Sequence, residues 1–516
     1  MSSDYTFHAH SWKAEYHEQV VAAYQGNPLI ETLPRVYTRE DVERLLKFDP
    51  GYVAEYQHFP PEVRRHLMLD AARFFQPLSL HFELQQRIDG MIRMGYVGRN
   101  PLDHGYWPET KWKIRSVREY KPDEIQQRVP CLGFTMVGMG GLGKSRTIER
   151  ILNLYPQVIE HSNYKGQRFT WRQVVWLKIE CPKGGGILGL CRNFFRELDR
   201  LLGTNYHQNF AVRGRPSIPS MVDSMENLCR VHSIGALVID EIQNLRQAKG
   251  AEAAEMLSFF VQLDNQIGTP VVLIGTSKVL PILTGEFRRA RRATGQGDMV
   301  WERMKEDARW RFFLETLWKY QYVDKPSSLA DDLSHTLYDQ SQGIPDIAIK
   351  LFFLAQMYAV VRKKPTITPT IIKAAARESL RLVKPFLDAL RENKRLNGRF
   401  EDLAEIDLAR ELQKLLDDYE QSAPKGHTQK AEKDPGNKVQ QPSDPESPSG
   451  TPPPPDEQQA TPGSLDNSNK ESEKPEVKGA ILETVARGLS QKSGIYEALK
   501  TGGFICSLAQ RYLGEA

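Results

Sequence analysis

The segment CLGFTMVGMGGLGKSRTIERIL, residues 131–152, constrains the fold of this chain more than any other. Leu132 to Val137 reads as a buried strand and Lys144 onward as an amphipathic helix, and the turn between them, Gly138-Met-Gly-Gly-Leu-Gly143-Lys144-Ser145, matches G-x-x-x-x-G-K-[ST]. Without side chains at Gly138, Gly140, Gly141 and Gly143, successive backbone N–H groups can turn inward around a polyphosphate, at the positive end of the helix that follows. Lys144 then reaches the β- and γ-phosphates and the Ser145 hydroxyl a Mg²⁺ ion, with Arg146 grouped among the nucleotide-binding residues. The competing reading is a glycine-rich turn without a ligand, and the succession of strand, loop and helix argues against it.

At 516 residues the chain exceeds what one core usually carries, so two or more domains are expected. Its 12 histidines and 5 cysteines are scattered, with no CxxC pair and no cluster at metal-ligand spacing, so no metal beyond nucleotide-bound Mg²⁺ is expected. The sequence carries no long apolar span and no signal-like apolar region, and free cysteines suit a reducing compartment; a cytoplasmic protein without membrane partners is expected. A formal net charge of +4 is too small to select a partner, so any nucleic-acid surface must be local.

Texture divides the chain. Residues 1–125 form a mixed, partly helical region with helical stretches at Arg39 to Phe48 and Leu80 to Met94. Residues 126–325 alternate apolar strands with helical patterns, which predicts a parallel sheet covered on both faces, an α/β nucleotide-binding core. Residues 326–420 read as a helical lid and further helices, with Thr368 as an N-cap and Pro369 in the first helical position. From 421 to 478 the composition shifts to Pro, Ser, Glu, Lys and Gln, predicting a disordered linker, and 479–516 regains helix-like apolar spacing, as expected of a short partner-docking tail.

A second motif specifies the chemistry. IGALVIDEIQNL predicts a buried strand from Ala236 to Ile239 ending in Asp240-Glu241. An aspartate at a strand's carboxyl end beside a phosphate loop can hold the Mg²⁺ shell, and the adjacent glutamate can polarise an attacking water, so hydrolysis is expected as well as binding. QVVWLKIEC, residues 173–181, and TPVVLIGTSK, residues 269–278, predict two more strands. Thr276 falls at the tip of the latter, where it can orient water or sense the γ-phosphate; an ordinary turn threonine is the competing reading. In EFRRARRATGQG, Arg288, Arg289, Arg291 and Arg292 crowd together, and an arginine here can reach a neighbouring subunit's γ-phosphate, with Arg291 and Arg292 the choices.

This order of phosphate loop, Asp-Glu strand, threonine strand, arginine cluster and helical lid resembles AAA+ P-loop ATPases. FFQPLSLHFELQQRIDGMIRMGYVGRNP, LYPQVIEH, VIDEIQNL, LSFFVQLDNQIGTPVVLIGTSK and LSHTLYDQSQGIPDIAIKLFFLAQ resemble, more narrowly, TnsC, the ATPase regulators of Tn7-like transposons; TniB, MuB and IstB are more distant relatives. The resemblance spans roughly residues 12 to 400. It implies a bacterial protein that uses ATP and Mg²⁺, assembles as a homo-oligomeric ring or filament on double-stranded DNA, joins the nucleoid when so bound, and links a target selector, TnsD or TniQ, to the transposase subunits TnsA and TnsB. The chain departs from many AAA+ proteins after Gly343-Ile344-Pro345, where Asp346 follows instead of a sensor arginine, and Lys350 is a weak substitute.

A regulator that accepts sites chosen by another protein needs phosphate contacts rather than base readout. Lys183, in the glycine-rich turn CPKGGGILGL before a helix, is the candidate for that contact, with an ordinary turn as the alternative. The run from Tyr96 to Tyr120 is better suited to protein docking or packing than to stacking on duplex bases. GMGGLGKS and GIPDIAIKLF are also similar to STAND signalling ATPases, but no repeat period follows. A replication initiator or helicase loader is the remaining alternative, and the basic helical DNA-binding module expected of one is not found.

Overall fold

The computed structural model describes residues 11–102, 133–183, 186–247, 269–279, 297–392 and 406–422. The chain divides into two units, Met1–His427 and Thr428–Ala516, and every described residue belongs to the first. The expected tail, and all of the expected linker but Gln421 and Ser422, therefore lie outside the described residues, as do Arg291 and Arg292.

The amino-terminal part is β1 (Ser11–Lys13), α1 (Pro28–Glu31), α2 (Arg39–Leu46), α3 (Pro61–Ala71) and α4 (Ser79–Val97). Thr38 starts α2 with a capping box: its hydroxyl accepts the Asp41 N–H at 3.2 Å, and Asp41 Oδ2 accepts the Thr38 N–H at 3.2 Å. Next come β2 (Phe134–Gly138), α5 (Lys144–Leu152), β3 (Val158–Tyr164), β4 (Gln167–Val174), β5 (Trp176–Glu180), α6 (Ile187–Leu202), α7 (Ile218–Val231), β6 (Ala236–Asp240), β7 (Val271–Gly275) and β8 (Asp298–Trp301). The helices α8 (Ala308–Leu317), α9 (Asp331–Ser341), α10 (Pro345–Val361), α11 (Pro369–Ser379), α12 (Lys384–Arg391) and α13 (Leu408–Ser422) complete it. Thr368 caps α11 as the sequence predicts, accepting the Ile371 N–H at 3.3 Å with Pro369 in the first position.

Five strands form a sheet in the order β5-β6-β7-β2-β8, and all its pairings are parallel. Every residue of β2, β6 and β7 is buried, as expected where helices cover both faces. Successive strand residues point to opposite faces. Phe134, Met136, Val238 and Ile274 join one apolar cluster with α4, α5 and the helices after β8, whereas Val137, Leu237, Ile239 and Leu273 join another with α6 and α7. Into the first cluster is set a buried ion pair on α4: Arg93 Nε lies 2.9 Å from Asp89 Oδ2, and the Tyr155 hydroxyl donates to Asp89 at 2.9 Å.

A three-stranded sheet, β1-β3-β4, is absent from the sequence-based expectation. Its antiparallel β3–β4 hairpin closes at Lys165-Gly166, whose φ values of 48° and 82° are those of a two-residue type I′ turn. QVVWLKIEC, expected as one strand, is shared between two sheets. Val174 ends β4, and Val175 bonds to the Gln157 carbonyl before Trp176 enters β5. The apolar triplet Val174-Val175-Trp176 runs across the junction with no turn residue to mark it, so periodicity alone hides the boundary.

Burial pushes the imidazoles of His81, His161 and His232 down from 6.5 to about 4. A histidine whose folded value lies below its unfolded value stabilises the fold fully above the unfolded value, and that contribution is lost as pH falls toward the folded one. Each ring forced to charge costs up to roughly 3 kcal/mol. The melting temperature is expected to fall steeply from about pH 6.5 to pH 4. Thermal denaturation across that window checks this, and a flat profile would contradict neutral, buried rings.

Candidate functional site

The turn between β2 and α5 is shaped by backbone that only glycine adopts freely: φ is 76° at Gly141 and 85° at Gly143. Gly138 ends β2 against β8, where a Cβ would lie 2.6 Å from the Trp301 carbonyl oxygen. Gly143 starts α5 without a side-chain cap, which leaves the first-turn amides directed at the loop's concavity. Lys144 is 8% exposed, and its ammonium folds back over the loop, donating to the carbonyls of Gly138 at 2.9 Å and Met139 at 2.7 Å. The Asp346 N–H, in the first turn of α10, donates to the Gly141 carbonyl at 3.2 Å, so the carboxy-terminal helices are tied to the loop.

β6 and β7 bring three more predicted residues to the same cavity. Asp240 is 4% exposed; its Oδ1 accepts the Glu241 N–H at 2.9 Å, and Oδ2 lies 3.2 Å from Lys178 Nζ. Lys178, on β5, also reaches Glu149 Oε1 at 2.5 Å. Burial alone would lower its ammonium, but the Glu149 and Asp240 carboxylates outweigh that and raise it. Glu241 has φ of 59°, a left-handed conformation that costs a non-glycine residue about 1 kcal/mol and is typical of functional positions. Gln243 bridges the two strand ends: its amide nitrogen donates to Glu241 Oε2, and its Oε1 accepts the Thr276 N–H at 3.0 Å. Among the described residues, the buried Thr276 hydroxyl has no partner.

These groups line one cavity of about 970 Å³. Its walls include Gly140, Gly141, Gly143, Ser145, Lys144 and Arg146 from the loop and α5, Asp240, Glu241 and Thr276 from the strand ends, and Lys350 from α10. The set fits a nucleoside triphosphate: amides of a helix start, an ammonium, and a hydroxyl left unsatisfied among the described residues. It also fits Mg²⁺, since Ser145 and Asp240 supply two oxygens and that ion takes its others from phosphate and water. No protein cage competes, because the described residues contain no group of three or more His, Cys, Asp or Glu placed to hold a metal.

The remaining predicted residues fall elsewhere or are already engaged. The Arg146 guanidinium donates to the Arg73 carbonyl and lies 6.0 Å from the Phe75 ring centroid, turned toward the amino-terminal segment. Lys183 is exposed just beyond β5, at the far edge of the sheet from β8. Lys350 lies on the cavity wall with Nζ 2.8 Å from Asp346 Oδ2. Lys178, Gln243 and Arg303 escape the sequence reading, although Gln243 stands only two positions past Glu241 in DEIQ, a spacing that could have flagged it.

Arg303, just past β8, is tied to the end of α9, donating to the Gln342 carbonyl at 3.2 Å and to its side-chain oxygen at 2.9 Å. Beside it, Gly343 has φ of 71°, and a Cβ there would lie 2.1 Å from the Met304 carbonyl oxygen. Met304 N–H donates back to the Gly343 carbonyl at 2.9 Å. Gly343→Ala is therefore expected to destabilise the protein by about 2 kcal/mol or more through strain and overlap. Chemical denaturation checks this; a midpoint within error of wild type would refute the close approach.

Comparison with known proteins agrees with this architecture. Residues 131–283 match the model of a family described as an AAA domain. No curated protein sequence matches. Similar solved structures include the Orc1 protein of Aeropyrum pernix in complex with DNA, at 13% identity over 56% of this chain and 78% of that one with a TM-score of 0.34. Cdc6p from Pyrobaculum aerophilum is 13% identical over 67% and 87% of the two chains, with a TM-score of 0.38. The RuvB Holliday junction branch migration motor of Thermotoga maritima is 13% identical over 53% and 78%, with a TM-score of 0.29. The fold is that of an AAA+ P-loop ATPase, a parallel α/β sheet flanked by helices. Among the described residues, no helix is long and apolar enough to cross a membrane.

Proposed function

We propose that this chain is an ATP-hydrolysing regulator of transposition that assembles on duplex DNA, links a target selector of the TnsD or TniQ kind to the TnsA and TnsB transposase subunits, and disassembles on hydrolysis. The observation that carries the nucleotide chemistry is the convergence of the glycine loop, Asp240, Glu241 and Thr276 on one cavity. The transposition role is supported by the resemblance of residues 12 to 400 to TnsC.

In this reading the loop amides and Lys144 hold the phosphates, and Ser145 and Asp240 would hold Mg²⁺, which when bound would supply positive charge against the developing negative charge. Glu241, held by the Gln243 amide, accepts a proton from the attacking water, with the Thr276 hydroxyl as a second contact. Lys178 holds the Asp240 carboxylate in place through their 3.2 Å ion pair. Arg291 or Arg292 of a neighbouring copy supplies positive charge at the γ-phosphate, so turnover depends on assembly. Losing that phosphate removes the differential affinity that favours the assembled state, and hydrolysis acts as a timer. Lys183 and the adjacent glycine-rich turn contact DNA phosphates without reading sequence. The expected tail at 479–516 docks a transposase subunit.

The test is ATPase activity with and without random-sequence duplex, alongside negative-stain imaging with a non-hydrolysable analogue. DNA-stimulated turnover and rings or filaments around DNA are expected. A monomer whose turnover ignores DNA would defeat the regulator reading while leaving the ATPase chemistry standing.

A further inference from the structure

The sheet order decides which way a bound nucleotide points. Asp240, Glu241 and Thr276 stand at the ends of β6 and β7 on one side of the β2 loop, and β8 stands on the other. A triphosphate whose terminal phosphate meets those acids must run its nucleoside toward β8. There the cavity is walled by His81, Phe75, Trp301 and Ile349. The His81 ring lies 5.1 Å from Phe75 and 5.7 Å from Trp301, centroid to centroid.

His81 sits in the first turn of α4, where its Nδ1 accepts the Leu78 backbone N–H at 2.8 Å. A ring nitrogen that accepts carries no proton, so the proton of this neutral imidazole is on Nε2. The side chain is 8% exposed, Nε2 has no protein partner among the described residues, and the ring borders the cavity. That donor must take its partner from whatever fills the cavity it borders, and this is the space left for a base.

Resting on the nucleotide reading above, we propose that His81 is the base-recognition residue: its Nε2–H donates to an unprotonated ring nitrogen of adenine held against the aromatic wall. Adenine suits a lone donor because it offers acceptor nitrogens such as N3 and N7 and carries no carbonyl. The backbone bond to Nδ1 serves specificity by holding the tautomer, in the way that an outer partner orients a ligating histidine.

Two near-isosteres separate this role from packing. In His81→Asn the side-chain oxygen takes the place of Nδ1 and keeps the Leu78 bond, but no donor reaches the cavity. In His81→Gln the amide nitrogen takes the place of Nε2, and the Leu78 bond is lost. Binding of ATP and of inorganic tripolyphosphate to the full-length protein is measured by calorimetry, with melting temperature alongside. H81N is expected to melt near wild type, to bind ATP about tenfold more weakly and to bind tripolyphosphate unchanged. H81Q is expected to melt lower and to bind ATP within about twofold of wild type. Among 1-deaza-, 3-deaza- and 7-deaza-ATP, one should bind wild type about tenfold more weakly than ATP, and that gap should close in H81N. ATP affinity undiminished in H81N, or an equal loss for ATP and tripolyphosphate, overturns the base contact while the phosphate site stands. If wild type binds neither compound, the nucleotide reading itself fails, and the base contact with it.

Discussion

Lys144→Ala is expected to weaken ATP binding by roughly a hundredfold or more, and with it any nucleotide-dependent assembly. Lys144 is the cation at the start of α5, and its ammonium already rests over the carbonyls of Gly138 and Met139, at the mouth of the loop. A phosphate chain entering the loop offers that ammonium anionic acceptors in place of neutral ones, and alanine removes the exchange altogether. The effect should appear in equilibrium binding before any effect on turnover is considered, because the group acts on the ground state. The fold itself should persist, since β2 and α5 are held by apolar side chains such as Phe134, Met136, Ile148 and Ile151. Unchanged ATP affinity in a correctly folded K144A protein would remove the glycine loop from the phosphate site.

Glu241→Gln should bind ATP normally and hydrolyse it about 100- to 10,000-fold more slowly, the range over which a positioned general base contributes. The substitution keeps an oxygen to accept from Gln243, so the bridge to the Thr276 backbone can survive while the proton acceptor is lost. Assemblies on DNA should therefore persist with ATP itself. Glu241→Gly gives a second, opposite readout. With φ of 59° at this position, glycine should relieve backbone strain and stabilise the fold by about 1 kcal/mol while abolishing turnover. Single-turnover hydrolysis and denaturant midpoints measured together check both; rapid hydrolysis by E241Q would remove Glu241 from the mechanism. Gln243→Ala should lower turnover less than E241Q, because it misplaces the carboxylate without deleting it.

The parts of the site that are legible in the sequence are those whose chemistry is encoded at short spacing. Gly138 through Ser145 occupy consecutive positions, and Asp240-Glu241 follow directly on an apolar run; a local pattern can therefore state both the element and its end. Thr276 is legible for the same reason, at the tip of β7. Lys178 is not, because its partners Glu149 and Asp240 stand 29 and 62 positions away, the differences 178 − 149 and 240 − 178, and no local rule joins them. His81 lies in a segment the sequence marks only as helical. Nothing in its neighbours says that it faces Trp301, which is 220 positions on (301 − 81). The strand boundary at Val175 is hidden differently: the apolar triplet Val174-Val175-Trp176 runs across it without a turn residue.

By itself, the sequence determined the backbone conformations that depend on residue type alone: glycines free to take left-handed angles at 141 and 143, a strand on each side of the acid pair, a proline and threonine opening α11. Only the tertiary structure decided which surfaces those elements would share. The order β5-β6-β7-β2-β8 puts the acids beside the loop and the aromatic wall across from it, and the Met304–Gly343 contact brings the carboxy-terminal helices over both. The division follows from the range of the forces involved: dihedral preference acts within a few residues, whereas burial of apolar surface joins whatever segments the topology brings within contact.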